Sequence, residues 1–333
     1  QMGPSIVSKR KNRLTSAAVI NLGAIVISTN GIATHKIHIK GTIKISVSIN
    51  SKISTKNSAN IATQSFPTNA EGTRLLPINA VHQGVITRSV RDTATFYGAA
   101  EQCHYDKRLA PIGQVSAPGK KRLRIALLNT SPTTLHPDCH KGVNQIAKLC
   151  ESLGHQVEDV AFPYDAQVAE DFFIYWGFMA FGIKHLGSLM FGRGFNKAKL
   201  EPLTLGMSDH FRQNIWSFPK VVSRLKKFTQ VYNGIFSNYD ILLSPTLAQP
   251  APKIGHLSTL LDTQTCIDRL KEFSPYTLYQ NASGAPAISL PMATSQEGLP
   301  IGMQFAAAHG QDKLLLELAF ELENAQPWAK LNF

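Results

Sequence analysis

Two of the four cysteines are each followed directly by a histidine, and these pairs are the first residues whose types could do chemistry. Cys103-His104 and Cys139-His140 carry thiolate and imidazole groups of the kind that bind zinc. Adjacent residues cannot easily ligate one ion, however, and the sequence has no Cys-x-x-Cys pair with which to complete a site. We therefore predict free thiols, and neither a metal nor a cofactor. A few dispersed, unpaired cysteines are typical of a protein of the reducing cytoplasm.

Charge is distributed unevenly along the chain of 333 residues, whose formal net charge is +12. Ten basic residues fall within residues 1–75, together with a single acid, Glu71. Such a basic segment raises nucleic acid as a partner. Single-strand binding needs aromatic rings beside the cations, and Phe66 is the one aromatic residue of this segment. We therefore expect no nucleic-acid partner, and a basic-tailed nucleic-acid binder is the less favoured alternative.

The N-terminal segment also resembles a targeting signal. The basic residues 9–13 precede a short apolar run over residues 17–27, which is the secretory pattern. Asn21 interrupts that run, and no small-x-small cleavage site follows it. No segment reaches the roughly 20 apolar residues that a membrane span needs. We expect a cytoplasmic protein without a membrane partner, with export as the alternative.

The elements that would position a site become readable after Leu76. Residues 122–128 read as a strand, residues 138–153 as a helix that Asp138 caps, and residues 156–160 as a second extended segment. This strand–helix–strand order favours a sheet with helices on its faces. Further strands are predicted at 239–244, 285–290 and 301–306, with a turn at Gly298 and a helix over 311–324.

Three other segments have less definite patterns. Residues 168–193 are rich in aromatic residues, which indicates either a buried helix or the apolar wall of a substrate channel. Residues 212–236 have a helical, amphipathic pattern. Residues 35–50 alternate loosely, as in a strand or a hairpin.

Several motifs after residue 74 resemble the amidase signature family. They occur in order and at sensible spacing: 84–94 (GVITRSVRDTA), 243–248 (LSPTLA), 281–291 (NASGAPAISLP), 298–305 (GLPIGMQF) and 321–328 (ELENAQPW). The resemblance implies a mixed central β-sheet flanked by helices, and hydrolysis of carboxamide C–N bonds. It also implies a nucleophilic Ser, a second Ser at a cis peptide bond and a Lys. A Lys of lowered pKa can take the hydroxyl proton through the bridging Ser, while backbone N–H groups of a glycine-rich turn hold the oxyanion.

The catalytic segment of that family has no counterpart in the sequence. Its two glycine-rich motifs belong upstream of Arg74, yet the chain contains no Gly-Gly pair. Ser46, Ser48, Ser51 and Ser54 lie near the expected distance, without a glycine that would bring backbone donors close. Ser48 and Ser51 are therefore only weak candidates for the nucleophile, and surface or disordered serines are the competing interpretation.

These observations predict two parts. Residues 1–73 are predicted to be a low-complexity basic stretch outside the family, with a composition that favours disorder. An out-of-frame reading that ends near Gly72 would explain this composition. Residues 74–333 are predicted to be the C-terminal portion of an amidase-signature domain, incomplete and truncated. We expect an inactive hydrolase fragment. If the chain were active, its substrate would be a small amide. The alternative is a non-catalytic binding or scaffold protein that keeps the amidase fold.

Overall fold

The computed structural model describes residues 59–62, 76–78, 80, 84–103 and 105–328. Within them, seven strands form one mixed sheet in the order β2-β1-β6-β7-β5-β3-β4. The strands are β1 (Ala59–Ala62), β2 (Gly84–Thr87), β3 (Arg124–Leu127), β4 (Gln156–Asp159), β5 (Ile241–Pro245), β6 (Ala287–Thr294) and β7 (Pro300–Ala306). The expected mixed sheet with flanking helices is confirmed, and each strand predicted after residue 122 is present.

The two halves of the sheet differ in strand direction. β3 is parallel to both β4 and β5, which follows from the strand–helix–strand connection through the intervening helix. β7 is antiparallel to β5 and to β6, and β1 is antiparallel to β6 and to β2. The tight turn between β6 and β7 requires Gly298, whose φ of 79° lies in the left-handed region.

One face of the sheet is covered by apolar sides of three helices. They are α1 (Val90–Cys103), α2 (Pro137–Ser152) and α8 (Asp312–Ala325). Ile288 of β6 and Leu318 of α8 are both buried in this core, as the sequence predicted. Asp138 does not cap α2, because His136 Nδ1 accepts the N–H of Asp138 while the Asp138 carboxylate accepts from Gln296 N at 3.0 Å.

The other face carries the aromatic helices. They are α3 (Ala166–Phe191), α4 (Pro202–Gln213), α5 (Phe218–Ile235), α6 (Thr263–Phe273) and α7 (Leu278–Ser283). The helical pattern predicted over 212–236 is present but interrupted: α4 ends at Gln213, a 3₁₀ turn follows, and α5 begins at Phe218. Pro219 explains the break, since proline fits the first turn of a helix but not its interior. Among the described residues, no helix is long and apolar enough to cross a membrane.

The predictions for the N-terminal stretch fall largely outside the described residues. The strand or hairpin predicted at 35–50 lies outside the described residues, and so do the candidate nucleophiles Ser48 and Ser51. The strand β1 comes from the stretch that the sequence assigned outside the family domain, and it pairs with both β2 and β6. The boundary near residue 73 stays a prediction.

A buried histidine at the edge of the core makes stability depend on pH. The His155 ring is buried; its Nδ1 accepts the Leu123 N–H at 3.1 Å, so that Nε2 carries the proton and donates to Glu321 at 3.2 Å. Burial lowers the pKa of His155, and Arg122 lowers it further, against the opposite effect of Glu321. Protonation of Nδ1 would break the bond to Leu123.

We predict that the free energy of unfolding decreases as pH falls below about 6.5, the ordinary histidine value, because the unfolded chain then binds a proton that folded His155 resists. The loss continues until the lower folded pKa is reached. The check is urea denaturation at pH 7 and pH 5.5 for the wild type and His155→Gln. The variant should lose about 1 kcal/mol at pH 7 and show a smaller pH dependence. Equal pH slopes for the two proteins would contradict this account.

Candidate functional site

A row of polar side chains crosses three neighbouring strands on the face that carries α7. Ser244 of β5 lies directly opposite Gln304 of β7, which lies directly opposite Ser289 of β6. Paired residues of adjacent strands point to the same face of a sheet. Their neighbours Leu243, Phe305 and the other alternate residues fill the apolar core on the opposite face. We call Ser244, Gln304 and Ser289, together with Thr246 just after β5, the polar row.

Two hydroxyl groups of the polar row meet above a glycine. Thr246 Oγ1 and Ser289 Oγ are 2.6 Å apart, and both residues are half-buried. Thr246 N also donates to the Gly302 carbonyl at 2.9 Å. A Cβ atom on Gly302 would lie 2.7 Å from Ser289 Oγ and 2.8 Å from Thr246 Oγ1. Only glycine therefore leaves room for the hydroxyl pair at this position.

The short helix α7 lies over one end of the polar row and carries a second group of polar residues. Ser244, Gln304 and Gln280 line a cavity of about 10 Å³ together with Tyr276 and Tyr279. A volume of this size is close to that of one water molecule. Burial raises the pKa of Tyr276 to about 12, so its hydroxyl is neutral near pH 7 and cannot act there as a strong base.

The segment around residues 76–80 is held beside α7 by two buried side chains. Asn281 Nδ2 donates to the Ala80 carbonyl at 3.0 Å. The Tyr175 hydroxyl donates to the Ile78 carbonyl at 2.5 Å and accepts from Ile78 N at 2.9 Å. Asn281 is fully buried, and its Oδ1 has no hydrogen-bond partner among the described residues. This contact brings the 76–80 segment and the later family motifs into one region.

The chemistry available at the polar row is binding. Its hydroxyl and amide groups can donate to a carbonyl oxygen or accept from an amide N–H. None of its four side chains is a lysine, histidine or carboxylate, so the row itself offers no base with which to activate a hydroxyl. No group of His, Cys, Asp or Glu within the described residues could hold a metal ion. Burial raises the pKa values of Cys139 and Cys150 to about 12, which keeps both free thiols protonated.

The sequence did not predict the polar row, although its residues lie in the motifs that carry the family resemblance. Ser244 and Thr246 are in motif 243–248, Ser289 is in motif 281–291, and Gln304 is in motif 298–305. The row depends on the register of three strands, which the motifs alone do not give. Ser48 and Ser51, which the sequence did single out, lie outside the described residues.

Comparison with known proteins decides the family. The sequence model of the Amidase family matches residues 70–316. The chain belongs to the amidase family. A protein named "Putative amidase AmiC" of Mycobacterium leprae is 43% identical to this amidase-family chain over 293 residues, which are 87% of the chain and 61% of the relative. The 6-aminohexanoate-cyclic-dimer hydrolase of Paenarthrobacter ureafaciens is 29% identical over 270 residues, covering 75% of this chain and 54% of that enzyme. The chain thus spans between half and two thirds of the length of these relatives.

Solved structures show the same fold. A 6-aminohexanoate cyclic dimer hydrolase complexed with substrate matches 82% of this chain with a TM-score of 0.69 and 24% identity, over 61% of its own length. A bacterial aryl acylamidase of the amidase signature family matches 82% of this chain with a TM-score of 0.62 and 20% identity, over 59% of its length. The names of these two relatives specify different amides.

Proposed function

We propose that this polypeptide is the C-terminal part of a hydrolase that acts on carboxamides, and that in its present form it does not hydrolyse them. Membership of the amidase family supports the reaction class. The expected lack of hydrolysis rests on the absence of any Gly-Gly pair from the sequence, because the family's serine turns are glycine-rich. A turn of that kind supplies both the nucleophile and the backbone donors of the oxyanion hole.

The polar row supports a role in binding the amide group. Thr246 and Ser289 are hydrogen-bonded to each other through half-buried hydroxyls, which leaves one hydroxyl proton free to donate to a carbonyl oxygen, and Gly302 leaves room for the pair. Binding without a transition-state interaction does not lower the barrier for hydrolysis. The alternative function, a non-catalytic binding or scaffold protein that keeps the amidase fold, agrees with the same observation. An active hydrolase would take a small-molecule amide as its substrate.

We also propose that the stretch 1–73 is largely the product of an out-of-frame reading; the family model begins at residue 70 and the Mycobacterium leprae relative covers 87% of the chain, so family sequence extends into the last part of this stretch. The composition changes near Leu75, and the family motifs follow at once in the correct order. Translation of the other two frames of the gene upstream of Arg74 tests this directly. The two glycine-rich motifs should appear in one of those frames, and their absence from both would contradict the proposal. A cytoplasmic location remains part of this proposal, consistent with free thiols at Cys139, Cys150 and Cys266.

The purified chain is expected to hydrolyse no carboxamide above background. Losing a single oxyanion-hole donor costs about 10²–10³-fold in rate, and losing the nucleophile costs far more. The measurement is product formation from a panel of aryl and aliphatic amides, with Ser48→Ala and Ser51→Ala as matched variants. Identical traces for all three proteins agree with the proposal. Turnover that either substitution abolishes would show that the N-terminal stretch builds a catalytic site.

A further inference from the structure

The last turn of α3 and the loop after it expose large apolar side chains. Leu186, Leu189, Met190 and Phe191 are all exposed, with Leu189 at 84%. We call residues 186–199 the α3 tip. Single exposed apolar residues are common on soluble proteins, but four within six positions form a patch. Trp176 and Met179, earlier in the same helix, are by contrast buried.

The α3 tip is also positively charged. Arg193, Lys197 and Lys199 are exposed, and none forms an ion pair within the described residues. No acidic residue occurs between Asp171 and Glu201. Lys184, which precedes the tip, is neutralised by Asp209 at 3.0 Å. The tip therefore combines an apolar surface with three uncompensated cations.

The shape of the α3 tip is fixed by its own packing. The Phe195 ring lies against the backbone of Gly187, where a Cβ atom would overlap the ring. Phe191 and Phe195 stack with ring centroids 6.0 Å apart. The loop is thus folded back on α3, and Leu189 and Met190 stay exposed beside it. A surface that is formed before binding loses less conformational entropy when a partner covers it.

We propose that the α3 tip binds the surface of an anionic lipid bilayer. Apolar side chains that enter the acyl boundary next to lysines and arginines that face lipid head groups are the pattern of an interfacial anchor. The helix is not a membrane span, so the contact is peripheral. A second copy of the chain is the less suitable occupant, because a twofold contact through this patch would bring the Arg193, Lys197 and Lys199 groups of two copies together. Peripheral membrane binding would replace the expectation of no membrane partner, and it does not rest on the proposed function.

Vesicle flotation of the full chain tests the proposal. The probes are vesicles of phosphatidylcholine alone and vesicles that also contain about 30% phosphatidylglycerol. This anionic lipid gives the second set a strong negative surface potential. Wild-type protein should float with the anionic vesicles and much less with the neutral ones. The Leu189→Ser/Met190→Ser variant should lose about tenfold in partition coefficient. Lys197→Glu/Lys199→Glu should lose at least about 25-fold, because each lysine near the surface contributes about fivefold and each introduced glutamate is repelled by the anionic lipids.

Matched controls distinguish binding through the α3 tip from nonspecific adsorption to the vesicles. Ile254 is a fully exposed apolar residue elsewhere on the molecule, so Ile254→Ser should leave flotation unchanged. Lys226→Glu/Lys227→Glu makes the same charge change on the exposed side of α5 and should reduce binding far less. Absence of flotation, or equal losses in control and tip variants, would overturn the proposal. A wild-type dimer in light scattering that Leu189→Ser/Met190→Ser converts to a monomer would assign the patch to self-association instead.

Discussion

Replacing Arg224 with alanine is expected to lower the free energy of unfolding by about 3 kcal/mol. Arg224 of α5 holds Asp171 of α3 through two hydrogen bonds, of 2.6 Å from Nε and 2.5 Å from Nη2. The Asp171 carboxylate is 1% exposed, whereas the Arg224 side chain is 45% exposed. Truncating the arginine leaves a buried carboxylate with one remaining donor in the described structure, Gln167 Nε2 at 3.0 Å. An uncompensated buried charge is among the most costly changes in a protein interior.

The unequal burial of the two partners gives this prediction a sharp control. Asp171→Asn leaves a half-exposed guanidinium that water can solvate, so it should cost about 1–2 kcal/mol, which is less than Arg224→Ala. The double variant should recover part of the Arg224→Ala loss, because no charge is then left buried. Lys226→Ala, an exposed position on the same helix, should change stability little. Urea denaturation gives all four values, and equal losses for the two single variants would contradict the assignment.

Replacing Gly177 with alanine is expected to destabilise the protein by about 2 kcal/mol. Gly177 is where α3 and α4 approach closely: a Cβ atom there would lie 2.7 Å from the Met207 carbonyl oxygen and 3.0 Å from Phe211 Cβ. The nearest atom belongs to the backbone of α4, so it cannot move aside as a flexible side chain would. The helix gains about 1 kcal/mol from alanine in place of glycine, which offsets only part of the overlap.

Gly182 of the same helix provides the matched control. A Cβ atom there would meet no atom within 4 Å, so Gly182→Ala should stabilise the protein by up to about 1 kcal/mol through helix propensity alone. The two variants make the same chemical change 5 positions apart on α3. Thermal or urea unfolding should therefore move in opposite directions for them. Two shifts of the same sign would show that the α3–α4 contact does not limit the space at Gly177.

The parts of the fold that the sequence predicted are those with local signals. Residues 122–128 and 301–306 have strand patterns that end in turn residues, and α8 has a regular apolar stripe. Ile288 and Leu318 could be placed in the core because each lies on the apolar side of its own element. Gly298 could be placed in a turn because only glycine adopts its left-handed conformation without cost.

The parts that the sequence did not predict depend on contacts between distant residues. The Thr246–Ser289 hydroxyl pair joins residues 43 positions apart, and the Asp171–Arg224 pair joins residues 53 positions apart. His136 replaces Asp138 as the cap of α2 because Asp138 instead binds Gln296 from the β6–β7 turn. The helical pattern over 212–236 did not reveal the interruption at residues 214–217, because the apolar pattern continues across it.

This polypeptide is expected to contain no activated serine, and the most direct test is intact-mass measurement after treatment with a serine-directed fluorophosphonate. An activated hydroxyl would displace fluoride and gain the phosphonyl group, whereas an ordinary serine does not react because its hydroxyl stays protonated. We predict an unchanged mass for the folded chain, matching that of the urea-denatured chain treated in the same way. A single stoichiometric adduct that appears only on the folded chain and maps to Ser48, Ser51 or any other serine would contradict the account.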